Sequence, residues 1–222
     1  MRLLSTKIVS SHFKDELIKI GISIIEYPII KIDPLYIKID HVRSILIFTS
    51  QNAVKIVFES SEIVKKIKNK NCFCVGQKTK LLLNKKGINV IKMFESAADL
   101  ARFLVKNHKK DSFSFFCGRQ RRSEIETSLN QRKIVLDIHE VYKTTYTSKY
   151  FENFFDGILF FSPSAVSSYF IKNTWPESAH GFCIAECADR AFRALWQWEE
   201  EIYNYKIYSK YFTFSPVFLQ IK

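Results

Sequence analysis

A short run near the start of the chain, IFTSQNAVKIVF at residues 47–58, returns as FFSPSAVSSYF at residues 160–170. Placing Phe48 on Phe160 also places Ser50 on Ser162, Ala53 on Ala165, Val54 on Val166 and Phe58 on Phe170. Each copy is an apolar run that stops at a hydroxyl residue and opens onto apolar residues at helical spacing, which is the pattern of strand, turn and helix. A second echo follows the first. NCFCVGQKTK (71–80) resembles GFCIAECADR (181–190), with Phe73 over Phe182 and Cys74 over Cys183. Two successive strand–helix units recurring in one order point to two domains of similar build. The competing account is coincidence between generic βα units that share a grammar.

The rest of the chain keeps the same alternation. RLLST (2–6), SILIFTS (44–50), NCFCVG (71–76), INVIKMF, SFSFFCG (112–118), IVLDIHEVYKT (134–144), GILFFSPS and GFCIAE read as strands. ISIIEYPIIKI reads as one strand, broken up by Pro28 and ended near Pro34. Between them lie helical stretches such as HFKDELIKIG, stopped by Gly21, and the run after Ser96-Ala97-Ala98-Asp99, which reads as a capping sequence. The final IYNYKIYSKYFTFSPVFLQIK predicts one more strand and a short helix. Continuous apolar strands alternating with helices imply parallel sheets covered on both faces. About ten strands are too many for one sheet of this length.

The second copy lacks its opening strands, and RLLST with ISIIEYPIIKI would supply them. The expected fold class is therefore α/β, with two similar doubly wound parallel-sheet domains. One domain is discontinuous (1–34 plus 150–222) and the other is inserted (38–145). Residues 35–37 and 146–149 form a two-stranded hinge, and the active-site cleft opens between the domains.

Composition narrows the chemistry. Thirty-four basic against 22 acidic residues give a net charge of +12, which favours anionic partners. Much of this is scattered lysine, as expected of solvated helix ends and turns. Charges interrupt every apolar run before it could span a bilayer, and the first ten residues lack the apolar core of a secretory signal, so a cytoplasmic location is expected. The cysteines Cys72, Cys74, Cys117, Cys183 and Cys187 are odd in number and irregularly spaced, which predicts buried, reduced thiols and no metal. No glycine-rich dinucleotide or nucleotide loop, no nucleophile elbow and no paired histidines occur, so an enzyme of this sequence would work by positioning and charge neutralisation.

In parallel α/β sheets, ligands bind beyond the carboxyl ends of the strands. There the chain places Thr6-Lys7, Thr49-Ser50-Gln51-Asn52, Gly76 with Thr79, Gly118 with Arg121 and Arg122, Tyr142, and Ser162 with Ser164. These are hydroxyls, amides, glycines and cations with hardly a carboxylate among them, a surface suited to a polycarboxylate or polyphosphate. Each residue also has a structural explanation. Ser50, Ser162 and Ser164 are good helix caps, the glycines allow tight turns, the arginines suit a solvated helix start, and a tyrosine often closes an apolar strand.

The ordered set FTSQNAV, VGQKT, CGRQRRSEI, VYKT, FFSPSAV and FCIAECADRA, running from Thr49 to about Ala191, resembles the uroporphyrinogen-III synthase family. RLLST and GISIIEYPII fit the family's opening. The resemblance implies a cytoplasmic, cofactor-free lyase of haem (tetrapyrrole) biosynthesis. It would cyclise hydroxymethylbilane to uroporphyrinogen III with loss of water and inversion of ring D. The substrate's eight carboxylates agree with the basic charge. By the same resemblance Tyr142 is the catalytic residue that assists departure of the ring A hydroxyl. Thr79, Ser50, Ser162, Gly118, Arg121 and Arg122 match substrate-binding positions. A monomer is implied, with no nucleic-acid or membrane partner and a transient contact with the preceding deaminase. The chain departs from the family at Ala185-Glu186-Cys187-Ala188, where a glycine and threonines are common, and at Lys7, where arginine is common. Two alternatives stand beside this reading: a divergent, non-catalytic two-domain module that binds a polyanionic ligand, and a nucleic-acid binder suggested by charge alone.

Overall fold

In the computed structural model, residues 1–152, 155–176 and 178–183 are described. The elements in chain order are β1 (Arg2–Ser5), α1 (Ser11–Lys19), β2 (Ser23–Glu26), β3 (Ile30–Pro34), β4 (Ile45–Phe48), α2 (Gln51–Val57), α3 (Ser61–Ile67), β5 (Asn71–Val75), α4 (Gln77–Lys85), β6 (Asn89–Phe94), α5 (Ala97–Asn107), β7 (Ser112–Gly118), α6 (Glu124–Gln131), β8 (Val135–Tyr146), β9 (Gly157–Phe160), α7 (Pro163–Phe170) and β10 (His180–Cys183). Serine starts most of the helices. The side chains of Ser10, Ser50, Ser60, Ser96 and Ser162 each accept a backbone N–H from the first turn, a contact worth about 1 kcal/mol apiece. α3, capped by Ser60, stands between α2 and β5 in addition to the expected strand–helix alternation.

The chain divides into two compact units, Met1–Lys31 with Thr145–Lys222 and Ile32–Thr144. Among the described residues the first holds a four-stranded sheet of order β10-β9-β1-β2 and the second a six-stranded sheet of order β3-β8-β7-β4-β5-β6. The pairings of β1, β2, β9 and β10, and those of β4 to β8, are parallel.

The echo is a shared register. In one sheet Phe48 lies opposite Cys74, and in the other Phe160 lies opposite Cys183. Likewise Ile47 pairs with Phe73 and Leu159 with Phe182. The order β10-β9-β1-β2 therefore repeats the central β5-β4-β7-β8. The repeat is permuted along the chain, since β1 and β2 precede β9 and β10 while β7 and β8 follow β4 and β5.

Alternating strand residues build one core on each face of each sheet. In the six-stranded sheet Leu46, Phe48, Cys72, Cys74 and Phe116 pack with Ala53, Val54 and Val57 of α2 and Leu83 of α4. On the other face Ile47, Phe73, Phe113, Phe115 and Cys117 pack with Leu100 and Leu104 of α5 and Leu129 of α6. In the smaller sheet Leu4, Ile158 and Phe160 face α7, while Leu3, Leu159 and Phe182 face Leu17 of α1. Each large side chain so enclosed contributes roughly 2 kcal/mol of apolar burial.

ISIIEYPIIKI is not one strand. β2 belongs to the four-stranded sheet and β3 to the six-stranded one. The break falls at Pro28, which has no N–H for a ladder bond. Tyr27 N–H still reaches the Ser5 carbonyl (2.9 Å) and Ile29 N–H the Thr6 carbonyl (3.3 Å), so the chain stays with the first sheet on both sides of the proline. The chain passes between the units within β3 and within β8. Beside the first passage Leu35 N–H donates to the Val141 carbonyl (2.9 Å). Beside the second, Thr147 donates from its N–H to Ile29 (3.0 Å) and from its hydroxyl to Pro28 (2.8 Å).

Candidate functional site

In the six-stranded sheet the chain first lays down the edge strand β3, then forms β4, adds β5 and β6 on one side of it, and returns to add β7 and β8 on the other, beside β3. The strand order thus reverses between β4 and β7, which is where open α/β sheets form their ligand crevice. The loops there carry Thr49-Ser50-Gln51-Asn52 after β4 and Gly118 at the end of β7. Thr49 to Asn52 are half-buried at the start of α2. Ser50 Oγ accepts the Asn52 N–H at 3.1 Å.

Tyr142 crosses this crevice from β8. Its ring packs directly on Gly118: a Cβ there would stand 2.6 Å from ring atoms Cε2 and Cζ and 2.9 Å from the hydroxyl. The phenol O–H donates to Ser50 Oγ at 3.2 Å. Tyr142 is 9% exposed, and burial raises its pKa above the ordinary tyrosine value, the Ser50 bond opposing in part. A phenol held in this way stays protonated and is a hydrogen-bond donor at neutral pH.

The tyrosine is aimed by an irregularity. Cys117 lies opposite Glu140, but Gly118 lies opposite Tyr142, so β8 carries one extra residue at this point. Such a bulge turns successive side chains to one side of the sheet. Val141 and Tyr142 accordingly share a single core with Phe48 and Phe116.

Just after the adjacent β5, Gly76 caps α4 with φ +85°, a conformation that glycine adopts without penalty. Its carbonyl accepts the N–H groups of Thr79 and Lys80, both at 3.1 Å. Thr79 is only 4% exposed.

The arginines after β7 are not bare cations. Arg121 forms ion pairs with Glu126 of α6 and, at 2.7 Å, with Glu140 of β8. Its guanidinium also donates to the Gly118 carbonyl at 3.1 Å. Burial works against the charge, yet the bonds to Glu126 and Glu140 prevail and hold the arginine pKa above its usual value. Arg119 pairs with Glu140 at 3.1 Å, and the exposed Arg122 lies 3.8 Å from Glu124. The strand ends were expected to be poor in acid. Glu140 and Glu126 overturn that locally, and neither was singled out in the sequence. The available signal was Glu140's place two residues before Tyr142.

In the four-stranded sheet the order reverses between β1 and β9. Thr6 lies there but is turned inward: its hydroxyl donates to the Leu159 carbonyl at 2.6 Å and it is 2% exposed. The Lys7 ammonium lies 5.5 Å from the centre of the Phe161 ring, a cation–π contact. Ser162 caps α7 by accepting the Ala165 N–H at 3.2 Å, and Ser164 is half-buried in the first turn of the helix. Ala185 to Ala188 lie outside the described residues, as do Cys187, the expected helix after it and the expected last strand. Among the described residues no group of histidine, cysteine, aspartate and glutamate is placed to hold a metal. Burial pushes the Cys74 and Cys117 thiols up to about 11 and about 12.

Comparison with known proteins fits these observations. The uroporphyrinogen-III synthase of Helicobacter pylori superposes with a TM-score of 0.67 at 15% identity, covering 93% of this chain and 92% of that one. A mutant uroporphyrinogen-III synthase of Thermus thermophilus gives 0.63 at 11% identity, over 88% and 89% of the two chains. At such identities the likeness is one of fold. A search of curated proteins found no match. The family model described as Uroporphyrinogen-III synthase HemD matches residues 11–197. With that match over most of its length, this chain belongs to the uroporphyrinogen-III synthase family.

Proposed function

We propose that this protein is a cyclising lyase that converts hydroxymethylbilane to uroporphyrinogen III, inverting ring D and releasing water. The observation that carries this reading is Tyr142 in a chain of this family, a buried, protonated phenol spanning the crevice between β4 and β7. The linear substrate closes unaided to the uninverted isomer, so the catalyst must hold a conformation more than activate a group. The first step is departure of the ring A hydroxyl as water. Tyr142 O–H, transferred from Ser50 Oγ to that oxygen, supplies the hydrogen bond or proton that the leaving group needs. The resulting azafulvene is attacked by the substituted carbon of ring D, and the spiro intermediate opens and recloses with the ring inverted.

The substrate's carboxylates are taken by backbone N–H groups and hydroxyls of the strand-end loops, among which Ser50, Thr79, Ser162 and Ser164 supply polar side chains. Thr6 supports its loop from within, since its hydroxyl is spent on Leu159. The stretches 35–37 and 146–149, next to the passages within β3 and β8, act as the hinge. The protein acts as a monomer without a cofactor, receiving its substrate from the preceding deaminase.

The test is an isomer assay. Purified protein is given freshly generated hydroxymethylbilane, the products are oxidised, and the type I and type III isomers are separated by chromatography. Dominant type III product is expected. A well-folded protein that leaves type I product dominant overturns the reading and favours a binder without turnover.

A further inference from the structure

Gly118 and Arg121 match positions in the family pattern that suggest contact with substrate, yet both face the tyrosine's surroundings. We propose that they are positioning residues for the Tyr142 hydroxyl: Gly118 by leaving the space the ring occupies, Arg121 by locking the β7–α6 loop to β8. The inference rests on the reading of Tyr142 given above and assigns it two supports.

Three observations converge. First, the extra residue in β8 brings Tyr142 opposite Gly118 instead of Val141, which turns the phenol onto the glycine. Second, any Cβ at Gly118 would overlap the ring at 2.6 Å, and the hydroxyl sits within 2.9 Å of the same point. The glycine therefore sets how deep the ring lies and where its oxygen ends. Third, Arg121 joins the pieces around that contact. It reaches Glu126 on α6, Glu140 just before the bulge and the Gly118 carbonyl itself. Next to it, Arg119 N–H donates to the Tyr142 carbonyl at 2.8 Å. With two carboxylates already on it, Arg121 has its charge balanced inside the protein and little left for a substrate carboxylate.

The consequence concerns geometry more than binding. A donor displaced by about 1 Å loses on the order of 10²-fold in rate while leaving substrate affinity nearly intact. Lysine at position 121 would keep a positive charge but cannot make the forked contacts to two carboxylates and a carbonyl.

Gly118→Ala and Arg121→Lys are made singly and each in combination with Tyr142→Phe. Expected in the single variants is a kcat lower by about 10²-fold with KM changed by less than about 3-fold. With Tyr142→Phe, which keeps the ring and removes the hydroxyl, the further loss disappears, so the effects are strongly non-additive. A structural role alone would give additive losses. An Arg121→Lys variant with raised KM and unchanged kcat would make Arg121 a substrate ligand and overturn the proposal.

A second readout needs no turnover. The Tyr142 phenol is titrated by NMR with ring-labelled tyrosine, its signal assigned by its loss in Tyr142→Phe. In the unmodified protein it ionises above the ordinary value of about 10, and Gly118→Ala brings it down toward that value as the ring is expelled. An unchanged titration overturns the positioning role of Gly118. If the protein makes only type I product, the reading of function fails while the titration still decides the geometry. If Gly118→Ala does not fold, the Arg121→Lys pair decides alone.

Discussion

Tyr142 carries two demands that conflict in most settings. It must be buried enough to exclude water and yet present its hydroxyl to a polar loop. Here the ring rests on a residue without a side chain, and the hydroxyl ends on a helix-capping serine. Ser50 is thus both cap and acceptor: it holds Asn52 N–H and the phenol on one oxygen. Tyr142→Phe should leave the fold intact and lower turnover by roughly 10²-fold, the lower end of the range for a general acid. A steady-state assay beside a thermal melt checks this, and unchanged kinetics would make the tyrosine a bystander. The pH dependence has a defined sign. Burial raises the phenol's pKa in the folded protein, so the donor is present below the ordinary tyrosine value and is lost only as pH rises past it. The rate profile of the unmodified enzyme should therefore show no alkaline limb from this group below about pH 10. A limb near pH 8 that vanishes in Tyr142→Phe would contradict the assignment.

At the level of strands and helices, the sequence revealed what repeats locally and hid what registers at a distance. The strand–Ser–helix units were legible because Phe48, Ser50, Ala53 and Val54 recur with the spacing of Phe160, Ser162, Ala165 and Val166, and the pairing of Phe48 with Cys74 and of Phe160 with Cys183 explains the second echo. The split of ISIIEYPIIKI between two sheets was not legible. Pro28 signals a break, but the bonds of Tyr27 and Ile29 to Ser5 and Thr6 keep both its sides with the first sheet, and the change of sheet comes only at β3. Nor does any glycine or proline mark the bulge before Tyr142. The partnership of Arg121 with Glu140 exists only because parallel neighbours β7 and β8 bring together residues separated by a whole helix.

The opposite end of the same strands has its own clasp. Arg43, just before β4, makes a two-point contact with Asp137 of β8 at 2.6 and 3.1 Å and donates its backbone N–H to Ser114 of β7 at 3.0 Å. The hydrogen bond from Arg43 lowers the Asp137 pKa. A lowered carboxylate pKa contributes stability above the unfolded value of about 3.9 and loses it as pH falls through the folded value. Because the pair is about one-third exposed, solvent screens it and its contribution to stability is small. Asp137→Asn should shallow the acid side of a stability-against-pH curve measured by urea unfolding between pH 5 and 2. An unaltered slope would show that the clasp does not titrate.

At the scale of the molecule, residues 32–144 interrupt the first unit yet contain their own sheet and a core on each face. A polypeptide of residues 32–144 should therefore fold by itself, with a single cooperative thermal transition and dispersed amide resonances. A collapsed species without cooperative melting would show that the inserted unit depends on its flanks.

The pairing of β1 with β9, Leu3 beside Gly157, sets a timetable for birth on the ribosome. β1 and its neighbour β2 emerge together, but β9, on the other side of β1, is not made until the whole inserted unit has been translated. At typical rates of about 5–20 residues per second that wait is roughly 8 to 30 seconds. Through this interval Leu3 and Leu4, fully enclosed in the finished protein, have α1 and β2 to pack against but lack the cover of β9. β1 is therefore a part of the newborn chain that gains from chaperone shelter until β9 is made.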